Sequence, residues 1–145
     1  MPAYPVRRAF STRWNDNDQY GHVNNTVYYE AMDTAVNAWM IASAGQDPQG
    51  DAIALCAASS CEFHASASFP EPLEVGIAVE RLGTTSVTWA LGILRAGGDD
   101  PIATGRFVHV FVDAATRRPT PVPASVRAAI GEQLALEGSS HVSTG

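Results

Sequence analysis

From Thr26 to Gly45 the residues Tyr28, Met32, Ala35, Trp39 and Ala42 recur at steps of three or four, and beyond Gly50 the period falls to two as far as Val112. The first spacing is one face of an α-helix, and the second is the alternation of strands whose two faces meet different surroundings. A chain with that order has one long helix available to cover one sheet. Asn24 and Asn25 suit the helix N-cap and Gly45 suits its stop. At 1.5 Å per residue the helix would run for about 27 Å, enough to span most of a sheet face.

Four strands are predicted after the helix. Ile53, Leu55, Ala57, Ser59, Cys61 and Phe63 are expected on one side of the first, which breaks at Phe69-Pro70-Glu71-Pro72. Leu73, Val75, Ile77 and Val79 mark the second, Leu82-Gly83-Thr84-Thr85-Ser86 turns it back, and Val87, Trp89, Leu91 and Ile93 mark the third. Ala96-Gly97-Gly98-Asp99-Asp100 is a hairpin signal leading into the fourth, Ile102 to Val112. Connections this short imply an antiparallel meander. Ahead of the helix, residues 6–14 with Val6, Phe10 and Trp14 are predicted as a further strand, followed by a loop over 15–25. Pro119, Pro121 and Pro123 end the sheet, Ala124 to Leu136 is predicted as a short helix, and residues 138–145 as a frayed tail. Residues 1–137 are thus expected to form a single α+β domain, a long central helix packed on a curved five-stranded antiparallel sheet. Because 107–112 is apolar on both sides, its second face and the sheet edge call for cover from elsewhere, which points to self-association.

Composition removes several classes of function. A net charge of -6 argues against nucleic acid, because neutralising phosphates requires a basic face. All nine basic residues are arginines. Without lysine there is no Schiff-base amine, no Walker-type phosphate lysine and no attachment point for lipoyl or biotinyl groups, and no cofactor is expected. No apolar run approaches the roughly 20 residues of a membrane span, and Met1 to Arg8 lacks the apolar centre of a signal peptide, so a cytoplasmic protein with no membrane partner is expected. Cys56 and Cys61 lack zinc or redox spacing and read as reduced packing residues.

Candidate chemistry gathers in Thr12-Arg13-Trp14-Asn15-Asp16-Asn17-Asp18-Gln19-Tyr20-Gly21-His22-Val23-Asn24-Asn25, just ahead of a helix start whose free amides attract negative charge. Asp16 and Asp18 begin like a calcium loop, but the fifth position is Tyr20 and the twelfth, where a bidentate glutamate is needed, is Val27. Calcium is excluded. Turn-forming or capping acids are the alternative reading of the pair. His64, His109 and His141 have no partners at metal-ligand spacing, and no metal is expected. Ser59, Ser60 and Ser66 lie in no G-x-S-x-G elbow. Trp39 and Trp89 read as core residues. Arg81, Arg95, Arg106, Arg117 and Arg118 lie in or beside the late strands, where they pair with acids, meet solvent or supply forks for an anionic coenzyme.

The run R-W-x-D-x-D-x-x-G-H-V-N-N resembles the signature of hotdog-fold acyl-CoA thioesterases of the 4-hydroxybenzoyl-CoA thioesterase type. Phe69-Pro70-Glu71-Pro72-Leu73-Glu74-Val75-Gly76 resembles a strand start of that family, and Val112-Asp113 to Pro123 resembles its closing strand and proline-rich exit. The resemblance implies the hotdog fold, a homodimer or homotetramer with sheets joined edge to edge and sites at the interface, and hydrolysis of an acyl-CoA to a carboxylic acid and free CoA. It places the catalytic carboxylate at Asp18, as nucleophile or general base, with Asp16 bracing the loop and Gly21, His22, Asn24 and Asn25 supporting or positioning the substrate. The chemistry is consistent with those residue types. A thiolate departs without a strong acid, an ionised aspartate can attack the carbonyl or activate water, and first-turn amides can hold the oxyanion. Two other readings are a hotdog hydroxyacyl-thioester dehydratase, in which His22 would work with an acid, and a non-catalytic acyl-CoA binding module.

Overall fold

The computed structural model describes residues 4–134. Its strands are β1 (Val6–Phe10), β2 (Ala52–Phe63), β3 (Leu73–Leu82), β4 (Ser86–Arg95) and β5 (Ala103–Asp113), and its helices are α1 (Asn25–Ala44) and α2 (Ala124–Gln133). The strands form one antiparallel sheet in the order β1-β3-β4-β5-β2. Both helices share its core: Met32, Val36 and Trp39 of α1 and Val126 and Ile130 of α2 are buried with Ile77, Trp89, Leu91, Phe107 and Phe111. The predicted tail, and the end of the predicted second helix at 135–136, lie outside the described residues.

Asn24 caps α1 by accepting from the Thr26 N–H at 2.9 Å, and Gly45 ends it at φ 68°, a conformation that favours glycine. The buried stripe is Tyr28, Met32, Ala35, Val36, Trp39, Met40 and Ala44. Ala42, expected on it, is exposed. Positions 28, 35 and 42 are seven apart, and a straight helix drifts about 20° per seven residues against a strict repeat, so the contact face passes to Met40 and Ala44.

Two strand expectations need correction. The first strand stops at Phe10, opposite Leu73. Pro72, the next residue across, turns its carbonyl to the Ala96 N–H on the β4 side and offers β1 no bond. The chain instead enters a 3-10 turn, Trp14–Asp16, that leaves Trp14 78% exposed. In β2 a bulge between Cys56 and Ala58 breaks the alternation. Before it Ala54 and Cys56 pair with Phe111 and His109, and after it Ser59 and Cys61 pair with Phe107 and Gly105. One extra residue, Ala57, therefore sends Ile53 and Leu55 to the opposite face from Ser59, Cys61 and Phe63.

The sheet face away from α1 is partly covered by the chain itself. The Tyr4 ring lies against Gly76 and Gly92, where any Cβ would overlap it. Val112, bridged to Pro119, is buried, and Val108 and Val110 are half-buried. The outer strand β2 is different: Leu55 to Ser60 are all exposed.

Trp39 and Trp89 meet edge to face at 5.8 Å. Each indole N–H is satisfied, Trp39 by Gln133 at 3.1 Å and Trp89 by Nδ1 of buried His109 at 2.7 Å. Burial lowers the His109 pKa, and the Asp33 charge opposes that shift more weakly. The folded state therefore resists protonation that the unfolded chain accepts. Stability is complete above the unfolded value of about 6.5 and falls as pH drops below it toward the depressed folded value. Urea titrations at pH 7.5 and 5.5 should show a larger loss for the wild type than for His109→Gln, which keeps an acceptor but cannot titrate. Equal losses would contradict this assignment.

Candidate active site

The loop between β1 and α1 is a small hairpin. Asn17 bridges to Val23, the Asp18 N–H donates to the His22 carbonyl at 2.9 Å, and the Gly21 N–H donates to the Asp18 carbonyl at 3.1 Å. Gly21 closes the turn at φ 80°. Within it, one oxygen of the Asp18 carboxylate accepts from the Tyr20 N–H at 2.9 Å. Asp16 faces the other way and is 2% exposed. Its carboxylate accepts from the Arg13 main-chain N–H at 2.8 Å and from Nε and Nη2 of Arg13 at 3.1 and 2.9 Å. The Asp16 carbonyl takes the Asn24 N–H at 2.9 Å, which ties the hairpin to the helix start.

A second segment, 65–71, locks onto this hairpin. The Ala67 carbonyl accepts from Val23 at 2.8 Å, Asn17 Oδ1 accepts from the Phe69 N–H at 3.1 Å, and Ser68 Oγ donates to the Gly21 carbonyl at 2.6 Å. The Tyr28 hydroxyl accepts from the Ala67 N–H at 3.2 Å. Arg95 fixes the segment from behind through the Ser66 carbonyl at 2.8 Å and Glu71 at 2.6 Å. Between the two walls lies a cleft of about 380 Å³ bordered by Asp18, Tyr20, His22, Asn24, Asn25 and Tyr28, with Ala65 and Ser66 opposite. Burial raises the Tyr28 pKa, so its hydroxyl stays protonated.

The helix start offers less than its position suggests. The Thr26 N–H is taken by Asn24 Oδ1 and the Val27 N–H by the Asn24 carbonyl, each at 2.9 Å. Asn25 opens the helix, and its N–H has no acceptor among the described residues. The cleft is thus bordered by half-buried Asp18, by Tyr28 with its neutral phenol, and by Asn25, whose N–H has no acceptor among the described residues. That combination suits attack on a carbonyl and stabilisation of the resulting oxyanion.

The thioesterase-like superfamily matches residues 12–130, which takes in the hairpin, α1 and the whole β2–β5 run. The chain belongs to that superfamily. Thioester hydrolysis is the reaction class of this thioesterase. Its structure resembles that of the PA5185 protein of Pseudomonas aeruginosa, with 44% identity over 90% of this chain and 92% of that one and a TM-score of 0.85. A Thermus thermophilus thioesterase, solved with coenzyme A and zinc, is 25% identical over 97% of this chain and all of its own, with a TM-score of 0.79. A 1,4-dihydroxy-2-naphthoyl-CoA thioesterase from Synechocystis, 20% identical over 86% of this chain and 93% of its own, shares the hotdog fold with a TM-score of 0.76. No curated protein matches the sequence.

In this thioesterase Asp18, His22, Asn24 and Asn25 border one cleft, while Asp16 is held outside it. Tyr28 and segment 65–71 were not anticipated as parts of the site, since Tyr28 reads as a core position and main-chain bonds leave no sequence mark. His64 bonds Thr104 at 2.9 Å, and His141 lies outside the described residues. Ser59 bonds Tyr29, Arg106 pairs with Glu80 at 2.7 Å, and Cys56 and Cys61 are free thiols. Among the described residues no group of three His, Cys, Asp or Glu could hold a metal ion, and no helix is long and apolar enough to cross a membrane.

Proposed function

We propose that the protein is a cytoplasmic acyl-CoA thioesterase in which Asp18 is the catalytic carboxylate. The observation that carries this reading is that Asp18 and Asn25, whose N–H has no acceptor among the described residues, border one cleft. The thioester carbonyl carbon would meet Asp18, or a water that Asp18 deprotonates, while its oxygen accepts from Asn25. Water supplies the oxygen and the protons, the C–S bond breaks, and the products are a carboxylic acid and the CoA thiol. Gly21 sets the turn that presents Asp18, Asn24 caps the helix, Asp16 braces the hairpin, and His22 positions substrate or water. The exposed strand β2 supports a homodimer or homotetramer joined at that edge, and the CoA complex of the Thermus protein supports the choice of substrate carrier. The test is thiol release from short, long and aromatic acyl-CoAs by the purified protein. Multiple turnovers with at least one acyl-CoA are expected, whereas stoichiometric binding with no thiol released, or hydration of an enoyl thioester with the C–S bond intact, would refute the reading.

A further inference from the structure

Asn25 borders a second space as well, a groove of about 580 Å³ between the first turns of α1 and the outer strand β2. Its walls are the rings of Tyr29, Phe63 and Phe107, with Tyr29 and Phe107 centroids 5.3 Å apart, and the Tyr29 hydroxyl is satisfied by Ser59. Glu30 and Asp33 line the same groove. From Asn25 to Asp33 the groove follows the helix for about 12 Å at 1.5 Å per residue. Among the described residues neither acid forms an ion pair. Asp33 bonds the neutral Asn37 amide at 3.2 Å, and Arg13, whose guanidinium feels the Glu30 charge, is already held by Asp16. The Asp33 charge also reaches the sheet, where it adds to burial in raising the Cys56 thiol.

We propose that this groove holds the acyl part of the substrate and that Glu30 and Asp33 make the enzyme select acyl chains with an uncharged end over chains that end in a carboxylate. The inference rests on the thioesterase reading of the Asp18 cleft, because a thioester held at Asn25 sends its acyl chain along the groove toward the two acids. A terminal carboxylate would there lose water against aromatic walls and meet two like charges, of which only Glu30 has a cation near it, the Arg13 guanidinium that Asp16 already holds. A terminal methyl meets neither cost, and a terminal hydroxyl can donate to either acid.

The experiment compares kcat/KM for octanoyl-CoA with that for the mono-CoA thioester of octanedioic acid, in the wild type and in the Glu30→Gln/Asp33→Asn variant. Both positions are exposed and both replacements are isosteric, so the fold is retained. The ratio of two substrates on one protein also cancels any loss of active material. The wild type should favour octanoyl-CoA by about tenfold or more, and the variant should narrow that ratio at least about threefold. Equal wild-type values, or a ratio that the variant leaves unchanged, would overturn the inference. So would hydrolysis of other acyl-CoAs with neither of these accepted; hydrolysis of no acyl-CoA at all would overturn the thioesterase reading too.

Discussion

Asp18→Asn should slow acyl-CoA hydrolysis at least about 100-fold and leave the protein folded. The change is isosteric, and an asparagine Oδ1 can still accept from the Tyr20 N–H as the aspartate does at 2.9 Å. The hairpin bonds from Asp18 to His22 and Gly21 use main-chain atoms and are untouched. On the proposed mechanism, what disappears is the negative charge that attacks the carbonyl or takes a proton from water. A factor of 100 corresponds to about 2.7 kcal/mol of transition-state stabilisation. Steady-state kcat measured beside the far-ultraviolet circular dichroism spectrum checks both halves of the expectation. Undiminished turnover in a folded variant would remove Asp18 from the mechanism.

The second large effect belongs to the neighbouring acid and falls mainly on stability. Asp16→Ala should cost about 1–3 kcal/mol of folding free energy, because it deletes a buried acceptor of one main-chain and two guanidinium hydrogen bonds. The Arg13 head is exposed and can turn to water, but its main-chain N–H loses its acceptor. Some turnover should also be lost, since Asp16 links Arg13 to the start of α1 through the Asn24 N–H and so sets where the cleft wall stands. A urea midpoint indistinguishable from the wild type would show that the carboxylate braces nothing.

The helix and most strands were legible because burial of one face imposes its period on the sequence, as at Tyr28, Met32 and Ala35 or at Val75, Ile77 and Val79. The β2 bulge was not, since inserting one residue at 56–58 reverses the faces without any distinctive residue type. Trp14 was drawn into the first strand by its apolar ring, yet the ladder with β3 ends at Phe10 and Leu73 and the chain turns at Trp14–Asp16. The acidic hairpin was visible as a motif, but its opposite wall was not. Every bond that joins segment 65–71 to it has at least one main-chain partner, which any residue could supply, and Tyr28 contributes a hydroxyl from a position whose ring belongs to the core. The same holds for the proposed oxyanion donor: only with the Asn24 cap in place does Asn25, rather than the whole first turn, stand out.

The sharpest measurement sets the two aspartate variants side by side, one thiol-release assay at saturating acyl-CoA and one urea titration each. Chemistry at position 18 and support at position 16 predict that Asp18→Asn loses at least about 100-fold in kcat with little change in midpoint, while Asp16→Ala loses about 1–3 kcal/mol of stability and keeps far more of its kcat. The reverse pattern, with turnover surviving at 18 and abolished in a fully stable variant at 16, would contradict the account.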